Sequence, residues 1–116
     1  MMEYEDAVDQ STLEMLQELL GEDFQDLVET FLRDAPQRLT ELQRAVEVGT
    51  PEVLERPAHT LKGAAANLGA EGLAGLCARL VQACRNGEVK DPQAQVDAIE
   101  GELERVSAAL RRCLEG

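Results

Sequence analysis

The sequence predicts an all-α protein, an antiparallel up-down-up-down four-helix bundle with a short additional N-terminal helix. Three observations lead there. Apolar residues recur at three-and-four spacing through four long stretches. No stretch alternates apolar and polar residues as a half-buried strand does. Glycine, Thr-Pro and Asp-Pro punctuation separates the stretches by only a few residues, and short connections make consecutive helices antiparallel neighbours. The 116 residues form one predicted domain, 1–116, long enough to bury a real core, with no internal repeat or low-complexity tract.

The elements follow in order. Residues 1–9 are acidic and expected to be loose. Ser11 and Glu14 have capping-box spacing, which predicts a helix over about 12–20 that Gly21 ends. Leu13, Leu16 and Leu20 form one stripe on it. Met15 and Leu19 form a second, roughly 120° or more away, which is either part of a broad buried face or a docking patch. The second helix is expected over about 23–48, with the seam Phe24, Val28, Phe31, Ala35, Leu39, Leu42 and Val46. Glu29 and Arg33 are spaced to pair across one turn, Pro36 should bend the helix, and Gly49 stops it. The third is expected over about 51–68, with Thr50 as N-cap and Pro51 at the first position. Pro57 lies inside it and cannot donate to the carbonyl of Val53. The helix is therefore expected to be regular from His59 to Leu68 and distorted before Pro57, and Gly69 closes it. The fourth, about 70–86, turns Leu73, Cys77, Leu80 and Cys84 inward and ends at Gly87. Asp91-Pro92 starts the fifth, about 92–114, whose seam is Val96, Ile99, Leu103, Val106, Leu110 and Cys113.

Charge and composition exclude several function classes. A formal charge of -12, from 23 acidic and 11 basic residues, opposes binding to nucleic acid or anionic membranes. No apolar run approaches the roughly 20 residues that span a bilayer. The first residues, Met-Met-Glu-Tyr-Glu-Asp, do not form a secretory signal, so the expected compartment is the cytoplasm. The three cysteines include no C-x-x-C pair. Cys77 and Cys84 fall on the buried face of their helix and read as small core hydrophobes. One histidine cannot build a metal site with cysteines that the core needs, so no metal ligand is assigned.

That single histidine, His59, is the centre of the functional reading. At about 100° per residue, Leu54, Leu61, Ala65 and Leu68 centre roughly 200° from it. It therefore faces water, on a side shared with Glu52, Glu55, Lys62, Gly63 and Ala66. Lys62 and Gly63 follow it by three and four residues, the spacings that touch on a helix. A glycine inside an exposed helix costs about 1 kcal/mol relative to alanine. Bare backbone one turn from an imidazole lets another protein approach closely, which separates His59 from a surface bystander.

The run Ala58-His59-Thr60-Leu61-Lys62-Gly63, then Asn67-Leu68-Gly69, Leu73, Leu76-Cys77 and Leu80, resembles the histidine-containing phosphotransfer (HPt) domain of two-component phosphorelays. The match spans about 25 residues, and the offsets of the later motifs make it specific. The resemblance implies that His59 accepts a phosphoryl group on Nε2 from the receiver-domain aspartate of a hybrid sensor kinase. His59 then passes it to the receiver of a response regulator. It implies a covalent carrier without ATP-dependent kinase activity of its own, and no cofactor in this chain, since the partner receiver supplies a divalent metal. Lys62 is the candidate point charge for the phosphoryl oxygens, and Gly63 and Ala66 keep the approach clear. Many relatives have Glu or Gln where this chain has Val81, and that side chain can hydrogen-bond the imidazole. Its absence leaves water, Gln82 or Arg85 to replace it, with Arg85 the second cation. A chain needing no tether to its kinase is expected to be a monomeric shuttle. The rival reading is a helical docking module that binds receivers or other signalling domains without carrying phosphate.

Overall fold

The computed structural model describes residues 5–115 and contains five α-helices: α1 (Gln10–Leu20), α2 (Asp23–Val48), α3 (Pro51–Asn67), α4 (Glu71–Arg85) and α5 (Pro92–Glu115). A 3-10 turn, Glu5–Ala7, precedes them, and no strand occurs among the described residues. α2 packs on α3, α3 on α4, α4 on α5, and α5 closes back on α2. That cyclic order, with connections of two to six residues, is the four-helix bundle the sequence predicts. The 26 residues of α2 span about 39 Å at 1.5 Å each. The molecule's longest extent is 41 Å, so the bundle helices run along it.

One continuous apolar core fills the bundle. Phe24, Val28, Phe31, Ala35 and Leu42 enter from α2, and Leu54, Ala58, Leu61 and Ala65 from α3. Leu73, Cys77, Leu80 and Val81 enter from α4, and Val96, Ile99, Leu103, Val106 and Leu110 from α5. No polar or charged residue is buried among the described residues. Leu39 and Val46, expected in the seam, are only half-buried, and Ala45 takes the inner position near Val46.

The N-terminal segment departs from expectation. The expected looseness of residues 1–4 falls outside the described residues. Residues 5–9 are not loose: Ala7 and Val8 are each 2% exposed and belong to the core. Helix α1 starts two residues earlier than expected, at Gln10, with Asp9 and not Ser11 at the N-cap position. The Asp9 carboxylate accepts from the hydroxyls of Thr12 at 2.6 Å and Ser11 at 3.0 Å, and these bonds hold its pKa below the usual carboxylate value. The backbone N–H of Asp9 donates to Gly69 O at 2.9 Å, tying the segment to the α3–α4 turn. Gly69 has φ +76, and a Cβ there would meet Thr12 Cβ at 2.9 Å, so both the turn and the overlying helix require glycine. The first helix therefore laps over one end of the bundle. Leu13 is buried, whereas Met15 (51%) and Leu19 (72%) face solvent, so the second stripe is not part of the core.

Both internal prolines are carried without a break. α2 runs through Pro36, where Thr40 Oγ1 donates back to the Pro36 carbonyl at 3.1 Å. α3 is helical from Pro51 through Pro57 to Asn67, so Pro57 does not interrupt it and the segment before it is already helix. Pro57 is itself buried, as are Leu54, Ala58 and Leu61 of the same helix, so its apolar ring adds to the face that seats α3. The expected Glu29–Arg33 pair is not made. Arg33 meets Asp34 at 3.3 Å, and Glu29 accepts from Gln25 at 3.1 Å. At the far end, Asp91 caps α5 as predicted, its Oδ1 accepting from the Ala94 N–H at 3.2 Å.

The three cysteines are free thiols. Burial pushes the Cys77 thiol up to about 12 from 9.0. Because the unfolded thiol ionises near 9 and the folded one does not, Cys77 contributes full stability below about pH 9 and loses it as pH rises toward 12. Urea titrations at pH 8 and pH 10.5 should show the stability falling across that window. A Cys77→Ser chain should show a shallower fall. An equal fall in both chains would refute the assignment.

Candidate functional site

His59 is presented by the middle of α3, ten residues or about 15 Å from the turn at Gly69. Its helix phase is fixed by Leu54, Ala58, Leu61 and Ala65, all fully buried on the opposite side. The imidazole is exposed and makes no hydrogen bond to any described residue. It lines an open groove of about 580 Å³ together with Glu52, Glu55, Arg56, Thr60 and Arg85. Helical side chains lean toward the N-terminus, which is why the groove extends from His59 toward Glu52 and not toward Lys62.

The residues singled out from sequence separate into three groups. Gly63 and Ala66 are exposed one and two turns beyond His59 on the same face. Lys62 is half-buried and makes no ion pair among the described residues, so neither Glu52 nor Glu55 holds it. Arg85 reaches the groove from α4, and its Nε donates to Glu55 Oε2 at 3.2 Å. Gln82 makes no hydrogen bond to the histidine. It is exposed, its amide donates to Asn86 Oδ1 at 3.2 Å, and it does not line the groove. Val81 points into the core, 2% exposed, and Gln82 beside it is exposed. Two groove residues, Arg56 and Thr60, were not anticipated. Arg56 lies three residues before His59, and the spacing that selected Lys62 would have found it.

Nothing among the described residues explains Gly63. Its backbone is helical without positive φ, and a Cβ built there meets no atom within 4 Å. Gly75 and Gly101 have the same freedom, but only Gly63 lies one turn from the histidine on its own helix.

Comparison with known proteins decides what this exposed histidine belongs to. The Hpt domain family matches residues 26–109, which include the bundle from early in α2 to late in α5. The chain belongs to the Hpt family. A crystal structure of histidine-containing phosphotransfer protein B (HptB) from Pseudomonas aeruginosa PAO1 superposes with a TM-score of 0.87 at 32% sequence identity, covering 91% of this chain and 92% of that one. No curated protein sequence matches the chain. Histidine phosphotransfer in a phosphorelay is thus the function of this Hpt chain, and receiver domains are the class of protein with which Hpt domains work. Hpt proteins are phosphocarriers. No helix among the described residues is long and apolar enough to cross a membrane.

An Hpt domain must admit a receiver to its histidine, and Gly63 bears on that requirement. Gly63→Ala should stabilise the fold by about 0.5–1 kcal/mol, because alanine is the better helix former and meets nothing. Gly63→Gln should be comparably stable, and if this open turn is the entry path it should slow phosphotransfer by about tenfold or more. Urea midpoints and transfer rates measured on both variants check the pair. Unimpaired transfer in Gly63→Gln would show that the bare turn is not an entry path.

Proposed function

We propose that His59 is the phosphoacceptor of this Hpt domain, taking a phosphoryl group from a receiver aspartate and returning it to a second receiver. The observation that carries this assignment is the sole histidine of the chain standing exposed on the bundle flank beside unoccupied helix backbone at Gly63. Acceptance needs a neutral imidazole with its lone pair free at Nε2. That lone pair forms the N–P bond as the acyl-phosphate O–P bond of the receiver breaks, and the released electron pair stays on the aspartate carboxylate. The imidazole keeps its Nδ1 proton through the transfer, and the reverse sequence delivers the group onward. Such transfers rest on positioning and electrostatic stabilisation, which suits an imidazole that no described side chain hydrogen-bonds.

Lys62 serves the phosphoryl oxygens as a point charge, which its lack of a carboxylate partner among the described residues supports. Gly63 and Ala66 keep the docking face low. Arg85, already in the groove, is the second cation. Gln82 has no part. The divalent metal that neutralises charge during transfer is assigned to the receiver, and this chain needs no cofactor of its own. We place the protein in the cytoplasm as a monomeric carrier between a hybrid sensor kinase and a response regulator, consumed and regenerated and without kinase activity. Its strong negative charge supports the exclusion of nucleic acid and anionic membranes as partners.

The test is phosphotransfer from purified, phosphorylated receiver domains. The expected product carries one phosphate, labile in acid and stable in alkali, that maps to residue 59. Receiver binding without any label would favour a docking module that carries no phosphate.

A further inference from the structure

The groove beside His59 holds charges of both signs. Glu52, Glu55 and Arg56 come from α3 and Arg85 from α4. The two cations assigned to the phosphoryl group are in different states: Lys62 has no ion-pair partner among the described residues, whereas Arg85 is held by Glu55 at 3.2 Å. Glu55 lies one turn before His59 on the same face, so its carboxylate and the imidazole project side by side. The negative field of this corner reaches across to α4, where the Cys84 thiol is pushed up first by burial and then by the charges of Glu55 and Glu52. A phosphoryl group on His59 would add nearly two negative charges and three acceptor oxygens to the same groove. It would compete with the Glu55 carboxylate for one guanidinium, whose planar fork fits either anion.

We propose that Glu55 is a positioning residue that acts through Arg85 and sets how strongly the phosphoryl group is retained. While His59 is bare, the carboxylate holds the guanidinium in the groove. When the phosphoryl group arrives, Arg85 passes to it, and the freed carboxylate repels it. The ion pair is thereby a stand-in for the phosphorylated state, and its cost keeps phosphohistidine from becoming a sink that no receiver could discharge. This rests on His59 being the carrier.

Two measurements on the full chain test it. One is the equilibrium constant for phosphoryl exchange with a purified receiver. The other is the hydrolysis half-life of phosphohistidine formed chemically with phosphoramidate, which needs no receiver. Glu55→Gln should move the exchange equilibrium toward phosphohistidine by about three- to tenfold, the range expected for removing one charge at groove distances, and should lengthen the half-life. Arg85→Ala should move both the other way. In the Arg85→Ala background Glu55→Gln should have a clearly smaller effect, and Glu55→Asp should stay close to the parent. A purely structural role would change the melting temperature and leave the equilibrium in place, which would overturn the proposal. So would a Glu55→Gln shift toward the receiver, or strictly additive effects. If phosphoramidate labels His59 and no receiver does, the phosphorelay reading fails while the half-lives still decide the role of Glu55. If neither route labels it, both fall.

Discussion

A chain carrying His59→Gln should take up no phosphoryl group from a receiver that labels the parent, a loss of more than about a thousandfold. The fold should not register the change. His59 is exposed, hydrogen-bonds no described residue and lies outside the core, and substitutions at such positions stay within about 0.5 kcal/mol. Glutamine retains length and polarity but offers no nucleophilic lone pair of the imidazole kind. Radiolabel transfer and thermal unfolding, run on the same preparations, separate the two effects. Persistent label on the mutant would place the phosphate on another residue. Loss of label together with a large drop in melting temperature would mean that the ring has a structural task.

Leu61→Ala should do the reverse. Leu61 is two residues from His59 but fully buried against the facing helices. Truncation removes a transfer contribution and leaves a cavity, together about 2–5 kcal/mol. A domain of this kind has about 5–15 kcal/mol in all, so at the middle of both ranges about a third of its stability should go. The urea midpoint should fall by roughly 2 M, given slopes of about 1–3 kcal/mol per molar. Transfer per folded molecule should persist at low temperature, since His59 points away from the cavity. A loss under about 1 kcal/mol would mean that α3 is not seated as described, and the outward direction of the histidine would lose its basis.

These two outcomes come from one helix with two faces. Leu61 and Ala65 anchor α3, and their phase forces His59, Gly63 and Ala66 outward. Periodicity alone could establish this, because a buried stripe leaves no freedom in where the remaining residues point. The same logic located the seams of α2, α4 and α5, and the stops at Gly21, Gly49, Gly69 and Gly87, all at positive φ.

Local pattern failed where a partner distant in the chain decides the outcome. Glu55 and Arg85 are 30 residues apart, and only the packing of α4 on α3 makes them an ion pair. By sequence Gln82 is one candidate for the place beside the imidazole, and its amide is turned to Asn86 on its own helix. Ala7 and Val8 sit in an acidic stretch too short to show a period, so their burial depends on the docking of Asp9 onto Gly69. Pro57 shows its missing N–H in the sequence but not its burial, which depends on the helices packed against α3.

The amino-acid sequence by itself determined the helical class, the direction of the histidine and the bare turn beside it, since each follows from spacing along one helix. Tertiary structure alone decided which charges surround the imidazole, because long side chains on neighbouring helices meet only once the core has set the rotation and height of each helix.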